Sequence, residues 1–418
     1  MPSTRSTAAF DTRVVTAPTN SAIDFADDDI SNDRFTAPPD NDEWLSASRH
    51  ELRLNRCIAI PTETVYGLAA NALDSSAVGM IYSAKGRPSD NPLIVHVSSV
   101  RMLRALYHLT EEDPAFDLDS DWMRQRLDKA QASSGGVEWP EIPSVYHDPI
   151  RRFWPGALTI VVPRPACIPP AVVGGPHATT VAVRLPSHPV ARAIIAFAGL
   201  PLAAPSANAS GRPSPTTAAH VIHDLSGRIP LVIDGGACAV GVESTVVDAF
   251  SDIAYVGGQL SPCVLRPGGV TVEALRELGD VWGRLRVYRR DFASAELESA
   301  PTTPGMKYRH YSPTAPVHLL SATSDESMQS AIERLSREVG RLGVIAVSPL
   351  SNFSSGDCAL VVRSVADARD MAKRIFALLR ELDETEHVDA ILVQGLDDRD
   401  EGLAVMNRLE KAATHRIL

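Results

Sequence analysis

The chain reads as two α/β domains in series, a larger one followed by a smaller, doubly wound, Rossmann-like one. Three observations predict this. Short runs rich in valine, isoleucine and leucine alternate with amphipathic stretches from about residue 51 to the end of the chain. The alternation stops once, around 292–315, where APTTPGMKYRHYSPTAP carries four prolines and neither a helical nor a strand period. Finally, 418 residues exceed what one ordinary core holds.

Residues 1–45 are polar, acidic and without periodicity, and predict a disordered extension. The larger domain, 46–291, opens with CIAI (57–60), a short strand ending at Pro61. SAVGMIYSAK (76–85) places Ala77, Met80, Ile81 and Ala84 on one helical face, and LIVHV (93–97) is the next buried strand. From about 109 to 148, acids, SSGG and prolines mark a surface insertion with a helix around DWMRQRLDKAQ. Strands recur at ALTIVV (157–162), TVAVRL (180–185), PLAA (201–204), PLVID (230–234) and STVVDA (244–249). Helices lie between some of them, over HPVARAIIAFA (188–198) and TTAAHVIHDLS (216–226), and TVEALREL (271–278) closes the domain. Beyond the linker, residues 316–418 repeat strand and helix: VHLLS, ESMQSAIERLSREV, VIAV, CALVV, VADARDMAKRIFALLREL, DAILVQ and GLAVMNRLEKAA. No G-x-G-x-x-G follows the first of these strands, which argues against a dinucleotide site.

Composition removes several function classes. Apolar residues make up 44% and charged residues 22%, as in a soluble globular protein. A net charge of −11 argues against a protein that coats nucleic acid, although a local basic cleft remains open. Five scattered cysteines without a C-x-x-C pair fit a reducing compartment and argue against a disulfide framework or a zinc site. The best membrane candidate, AIIAFAGLPLAAP (193–205), is thirteen residues long, too short to span. The N-terminus lacks a charged start followed by an apolar stretch, so the expected location is cytoplasmic. Arg5 and Arg13 among serines and threonines leave organellar targeting open.

The chain contains no G-x-x-x-x-G-K-[ST] loop, H-E-x-x-H or G-x-S-x-G elbow, so nucleotide chemistry would need another phosphate cradle. Five polar clusters offer one. PTETVYGL (61–68) presents Thr62 and Thr64 beside Gly67, or is simply a turn with capping threonines. AKGRPSDNPLIVH (84–96) holds Lys85, Arg87, Asn91 and His96. Arg87 can grip a carboxylate or phosphate with two parallel bonds, but a solvated turn with one satisfied core histidine reads equally well. In TTVAVRLP (179–186) Thr180 and Arg184, four apart, share a strand face. Such an arginine is costly unless it is paired or faces a cleft. APSANASGRPSP (204–215) is a small-residue loop whose hydroxyls and N–H groups can wrap phosphate, as Ser206 and Ser214 would. GVESTVVD (241–248) and VLRPGG (264–269) add Glu243, Ser244, Asp248 and Arg266, though carboxylates beside a strand are more often solvated ends. Together Arg87, Arg184, Arg266 and Arg309, each at a strand end or in a turn, suit a polyanionic small molecule better than a duplex.

In this order PTETVYGL, KGRPSDNPLIVH, FWPGALTIVV, TVAVRLP, APSANASGRPSPT, ESTVVD, VLRPGG, PGMKYRHYSP and MNRLEKAA resemble the long form of the YrdC family, the threonylcarbamoyl-AMP synthases, over roughly 48–418. The resemblance implies a YrdC-type twisted, open mixed sheet with helices and an enzyme that joins L-threonine, bicarbonate and ATP into threonylcarbamoyl adenylate and pyrophosphate. A separate transferase assembly would then carry the group to the adenosine beside the anticodon of tRNA. Carried onto matching positions, Thr64, His96, Arg184, Ala204 and Ser244 would hold threonine, Ala204 through its backbone. Arg87, Asn91, Thr180, Ser206, Ser214, Arg266 and Arg309 would hold ATP, with Lys85 and Arg87 at the reacting phosphates and 292–315 as a lid. Mg²⁺ would ride on the triphosphate without dedicated protein ligands. The resemblance implies no membrane, and binding of tRNA or double-stranded RNA is compatible with it but not required. Two other readings stay open: an RNA-binding or ribosome-maturation module using the same basic cleft, and a carbamoyl-transfer enzyme with another acceptor.

Overall fold

The computed structural model describes residues 10–18, 22–25, 30–37, 42–110, 116–289, 291–292, 310–322, 326–347 and 356–417. Its larger domain is built on an eleven-stranded mixed sheet. In spatial order the strands are Arg13–Thr16, Leu231–Asp234, Ile58–Ile60, Gly67–Asn71, Leu202–Ala203, Ile94–His96, Thr180–Arg184, Leu158–Pro163, Thr245–Asp248, Cys263–Arg266 and Arg286–Val287. Most of these strands are buried along nearly their whole length, which is why they read as continuous apolar runs rather than as alternations. The core on which they pack takes in Trp44, Leu52, Ile81, Leu103, Tyr146, Ile160 and Ile195.

Register places the polar exceptions together. His96 lies opposite Arg184 in a parallel pair, and Arg184 lies opposite Thr159 in an antiparallel one. Thr245 stands beside Leu158, which brings the preceding Ser244 within 2.7 Å of Thr159, hydroxyl to hydroxyl. Polar side chains from four separate stretches of sequence thus meet at one place on the sheet.

The first 45 residues correct an expectation. Arg13–Thr16 is an edge strand parallel to Leu231–Asp234, and Asp24–Phe25 pairs with Phe35–Thr36. Val15, Ile23 and Phe25 are buried in the main core, and the Glu43–Arg53 helix begins before the expected start of regular structure. Two-residue strands and one four-residue strand have too few positions to show a period. The insertion does carry the expected helix, Asp121–Ala132, and it is fastened by Arg104, whose Nε lies 2.6 Å from Glu141.

The smaller domain has five parallel strands, ordered Ala359–Val365, Arg341–Val347, Ala390–Gln394, Val317–Leu320 and His415–Ile417. The helices Ala368–Arg380 and Glu401–Ala412 pack into one buried cluster and Met328–Leu335 into another, so the sheet is covered on both faces. Among the described residues no helix is long and apolar enough to cross a membrane.

The domains meet over buried charge. Arg380 donates to Asp224 at 2.7 Å and Arg408 to Glu243 at 2.9 Å, and both arginines are 1% exposed. A Cβ on Gly241, whose φ is +83°, would lie 2.2 Å from the Lys373 carbonyl, so a glycine is required for the Ala368–Arg380 helix to come this close.

Candidate active site

Where the sheet ends meet the 204–215 loop lies a cleft with an empty volume of about 700 Å³, counting the part open to solvent. One side of it is cationic. The Ser75–Lys85 helix starts at Asp74, whose carboxylate accepts from the N–H groups of Ser76 and Ala77, and stops at Gly86 with φ +62°. Lys85 is therefore the last helical residue. Its Nζ donates to the carbonyls of Ser206 and Asn208, 2.5 Å each, which pins the 204–215 loop to the helix end. Arg87, two residues on, donates to the Pro92 carbonyl at 3.1 Å and, at 3.4 Å, to that of Asn91. Its Nε is buried without a hydrogen-bond partner among the described residues. Arg266 reaches back to the Ser244 carbonyl at 2.9 Å and the Ser244 hydroxyl at 3.1 Å.

Burial and mutual proximity disfavour these charges. Burial, then the neighbouring Arg87, push the Lys85 pKa well below the ordinary ammonium value. Burial brings Arg87 and Arg266 down to about 10. Such a cluster stores unfavourable desolvation and repulsion that a bound polyanion relieves.

The other side is neutral overall. Arg184 donates to Thr64 Oγ1 at 2.9 Å, to Glu63 at 2.5 Å and to the Gly156 carbonyl at 3.1 Å. The FWPG turn and the PTET turn thus both serve to hold this one guanidinium. His96 beside it is driven by burial, and then by Arg184, down to about 3, so it is neutral at physiological pH. Its Nδ1 contacts the Ile94 carbonyl at 3.2 Å. Val65, Ile94 and Ala204 give this side an apolar patch.

Of the residues expected from sequence, Thr64, Lys85, Arg87, His96, Arg184, Ala204, Ser206, Ser244 and Arg266 line the cleft. Asn91, Thr180 and Ser214 do not. Asn91 is buried behind Arg87, with both side-chain polar atoms unpartnered among the described residues. Thr180 stands opposite Pro163 at the far end of the strand that carries Arg184; the shared face holds, but four residues of rise separate the two. Ser214 is buried one contact away, donating to Glu243 at 2.5 Å. Arg309 lies outside the described residues, as does most of the expected lid. His310 and Tyr311 from that segment line the cleft, Tyr311 stacked on Phe376 at 5.2 Å between ring centroids.

Sequence reasoning left Glu63, Asn208 and Arg212 without a role. Glu63 neutralises Arg184, Asn208 accepts from Lys85, and Arg212 lines the cleft while pairing with Asp224 at 3.1 Å and with Glu384. The only signal for them was adjacency to residues already singled out. Among the described residues the cleft's two carboxylates are already engaged, Glu63 by Arg184 and Glu243 by Arg408 and Ser214.

Two family models match the chain, one described as "Threonylcarbamoyl-AMP synthase, C-terminal domain" over residues 270–414 and one as "Telomere recombination" over residues 50–124 and 128–268. The chain is 43% identical over 370 residues to a threonylcarbamoyl-AMP synthase of Schizosaccharomyces pombe, covering 85% of each chain. It is 40% identical over 379 residues to one from Bacillus subtilis, covering 90% of this chain and 95% of that one. Among solved structures, P. abyssi Sua5 complexed with L-threonine matches with a TM-score of 0.70 at 36% identity, over 90% of this chain and 97% of that one.

Proposed function

The chain belongs to the threonylcarbamoyl-AMP synthase family, and on that premise we propose that its cleft makes L-threonylcarbamoyladenylate from L-threonine, bicarbonate or CO2, and ATP, for the N6-threonylcarbamoyladenosine modification of tRNA. The observation that carries the residue assignment is that both expected half-sites line one cleft: Thr64, His96, Arg184 and Ser244 on one side, Lys85, Arg87 and Arg266 on the other.

The chemistry asks for little beyond holding. The threonine amine adds to the carbon of CO2, giving a carbamate and losing a proton. A carbamate oxygen then attacks the α-phosphorus of ATP, and the bond to the pyrophosphate oxygen breaks. Threonine carboxylate, carbamate and triphosphate are all anions, so the barrier is dominated by bringing like charges to attack distance. In this reading Arg184 takes the threonine carboxylate, with Thr64 and Ser244 as hydroxyl partners and neutral His96 contributing no further charge. Arg87, Arg266 and Lys85 take the phosphates, with Ser206 on the loop that Lys85 pins. Mg²⁺ bound to the triphosphate would supply charge neutralisation there; the residues of this chain position the α-phosphate and exclude water. His310 and Tyr311 close the cleft over the nucleotide. The adenylate then passes to a separate transferase that acts on tRNA.

The test is mass spectrometry of products from ATP, ¹³C-bicarbonate and each amino acid in turn. Threonine should give an isotopically labelled adenylate with stoichiometric pyrophosphate. Pyrophosphate release that ignores threonine or bicarbonate would refute the reading.

A further inference from the structure

Arg408 belongs to the smaller domain, on the Glu401–Ala412 helix, yet its side chain ends beneath the cleft of the larger one. Its Nε donates to one carboxylate oxygen of Glu243 at 2.9 Å, and its Nη1 donates to the Pro267 carbonyl. Its guanidinium carbon lies 5.9 Å from the centroid of the Tyr311 ring, which is part of the cleft wall. Glu243 passes the contact on. Its second oxygen accepts from Ser214 at 2.5 Å, and its backbone carbonyl accepts from Gly269 N–H at 3.0 Å.

Pro267 follows Arg266, and Glu243 precedes Ser244. One side chain from the second domain therefore ties together the ends of Thr245–Asp248 and Cys263–Arg266, an antiparallel pair, where Ser244 and Arg266 enter the cleft. Burial alone would raise the Glu243 pKa, but Arg408 and then Arg266 outweigh it and hold the carboxyl at about 2. A buried arginine is a poor device for mere docking, since apolar residues of similar volume dock domains without desolvating a charge.

We propose that Arg408 is a positioning residue of the synthase reaction: through the Pro267 backbone it fixes Arg266, and through Glu243 it holds the strand end packed against that arginine, so that docking of the second domain sets the nucleotide half of the cleft. This rests on the function proposed above. Arg408 touches no reacting atom; it acts through Arg266, which is assigned to ATP.

The experiment is steady-state pyrophosphate release by the full-length chain and its Arg408→Lys, Arg408→Met, Glu243→Gln and Arg408→Met/Glu243→Gln variants, with ATP and threonine varied separately. Arg408→Met should raise KM for ATP about tenfold or more, while KM for threonine moves less than about threefold. Arg408→Lys keeps a charge for Glu243 but loses the second arm to Pro267, and should fall between. The double variant should be no worse for ATP than Arg408→Met alone, because Arg408→Met already removes the contact that Glu243→Gln weakens. An unchanged KM for ATP, equal rises for both substrates, or additive effects in the double variant would overturn the proposal. Should Arg408→Met fail to fold, Arg408→Lys and Glu243→Gln decide it by the same split. A wild-type chain that releases no pyrophosphate with threonine and bicarbonate refutes the function itself and is distinguishable from all of these.

Discussion

Arg87 is held only lightly by the fold: the bonds described for it go to two backbone carbonyls in its own turn, and its Nε has no described partner. Removing it costs the structure little and removes a cation from the cleft. Arg87→Ala should therefore lower threonine-dependent pyrophosphate release by about a hundredfold or more while the thermal midpoint stays close to wild type; calorimetry beside the kinetic assay checks both halves. His96 carries a different prediction, in stability. Its pKa is about 3 in the folded chain, against about 6.5 unfolded. The unfolded state binds the proton first, so the His96 contribution is complete above about 6.5 and is lost as pH falls toward about 3. Between pH 7 and pH 5 that loss amounts to about 2 kcal/mol. Urea unfolding at the two pH values should show a smaller drop for His96→Asn than for wild type. At this scale the residue types were legible and the partners were not: Lys85, Arg87, Arg184 and Arg266 stand out as cations in turns and strands, whereas Glu63, 121 residues from the arginine it neutralises, does not.

At the scale of elements, the Ser75–Lys85 helix is the one that positions chemistry by where it stops. Asp74→Ala removes the cap that accepts from two N–H groups and should cost about 1 kcal/mol, read by urea denaturation. The helix was expected at 76–85 because its apolar face repeats at helical spacing. The buried strands were legible for a related reason, since runs such as LTIVV and LVID cannot remain in water. The strand Arg13–Thr16 and the helix Glu43–Arg53 were not legible. The first has four residues, and only its pairing with Leu231–Asp234, more than two hundred positions away, makes it a strand. The second sits in an acidic context that masks the burial of Trp44, Leu45 and Leu52.

At the scale of the whole molecule, the two large sheets are joined over buried ion pairs. Arg380→Met leaves Asp224 with Arg212 as its guanidinium partner but removes the buried one, and should destabilise the docked state by about 1.5–3 kcal/mol, seen as an earlier-melting C-terminal domain in calorimetry and faster proteolysis between the domains. The sequence by itself determined the class of the fold, the order of its main elements, the family and the residue types at the cleft, because hydrophobic periodicity and motif order are local properties of the chain. Which cations share the cleft was decided only by the tertiary structure. Sheet register put His96 beside Arg184 and Ser244 beside Thr159, and kept Thr180 at the far end of its strand. Domain docking brought Arg408 beneath Glu243. Pairing between distant strands and packing between domains depend on the whole chain's burial and charge balance, which no single stretch of sequence carries.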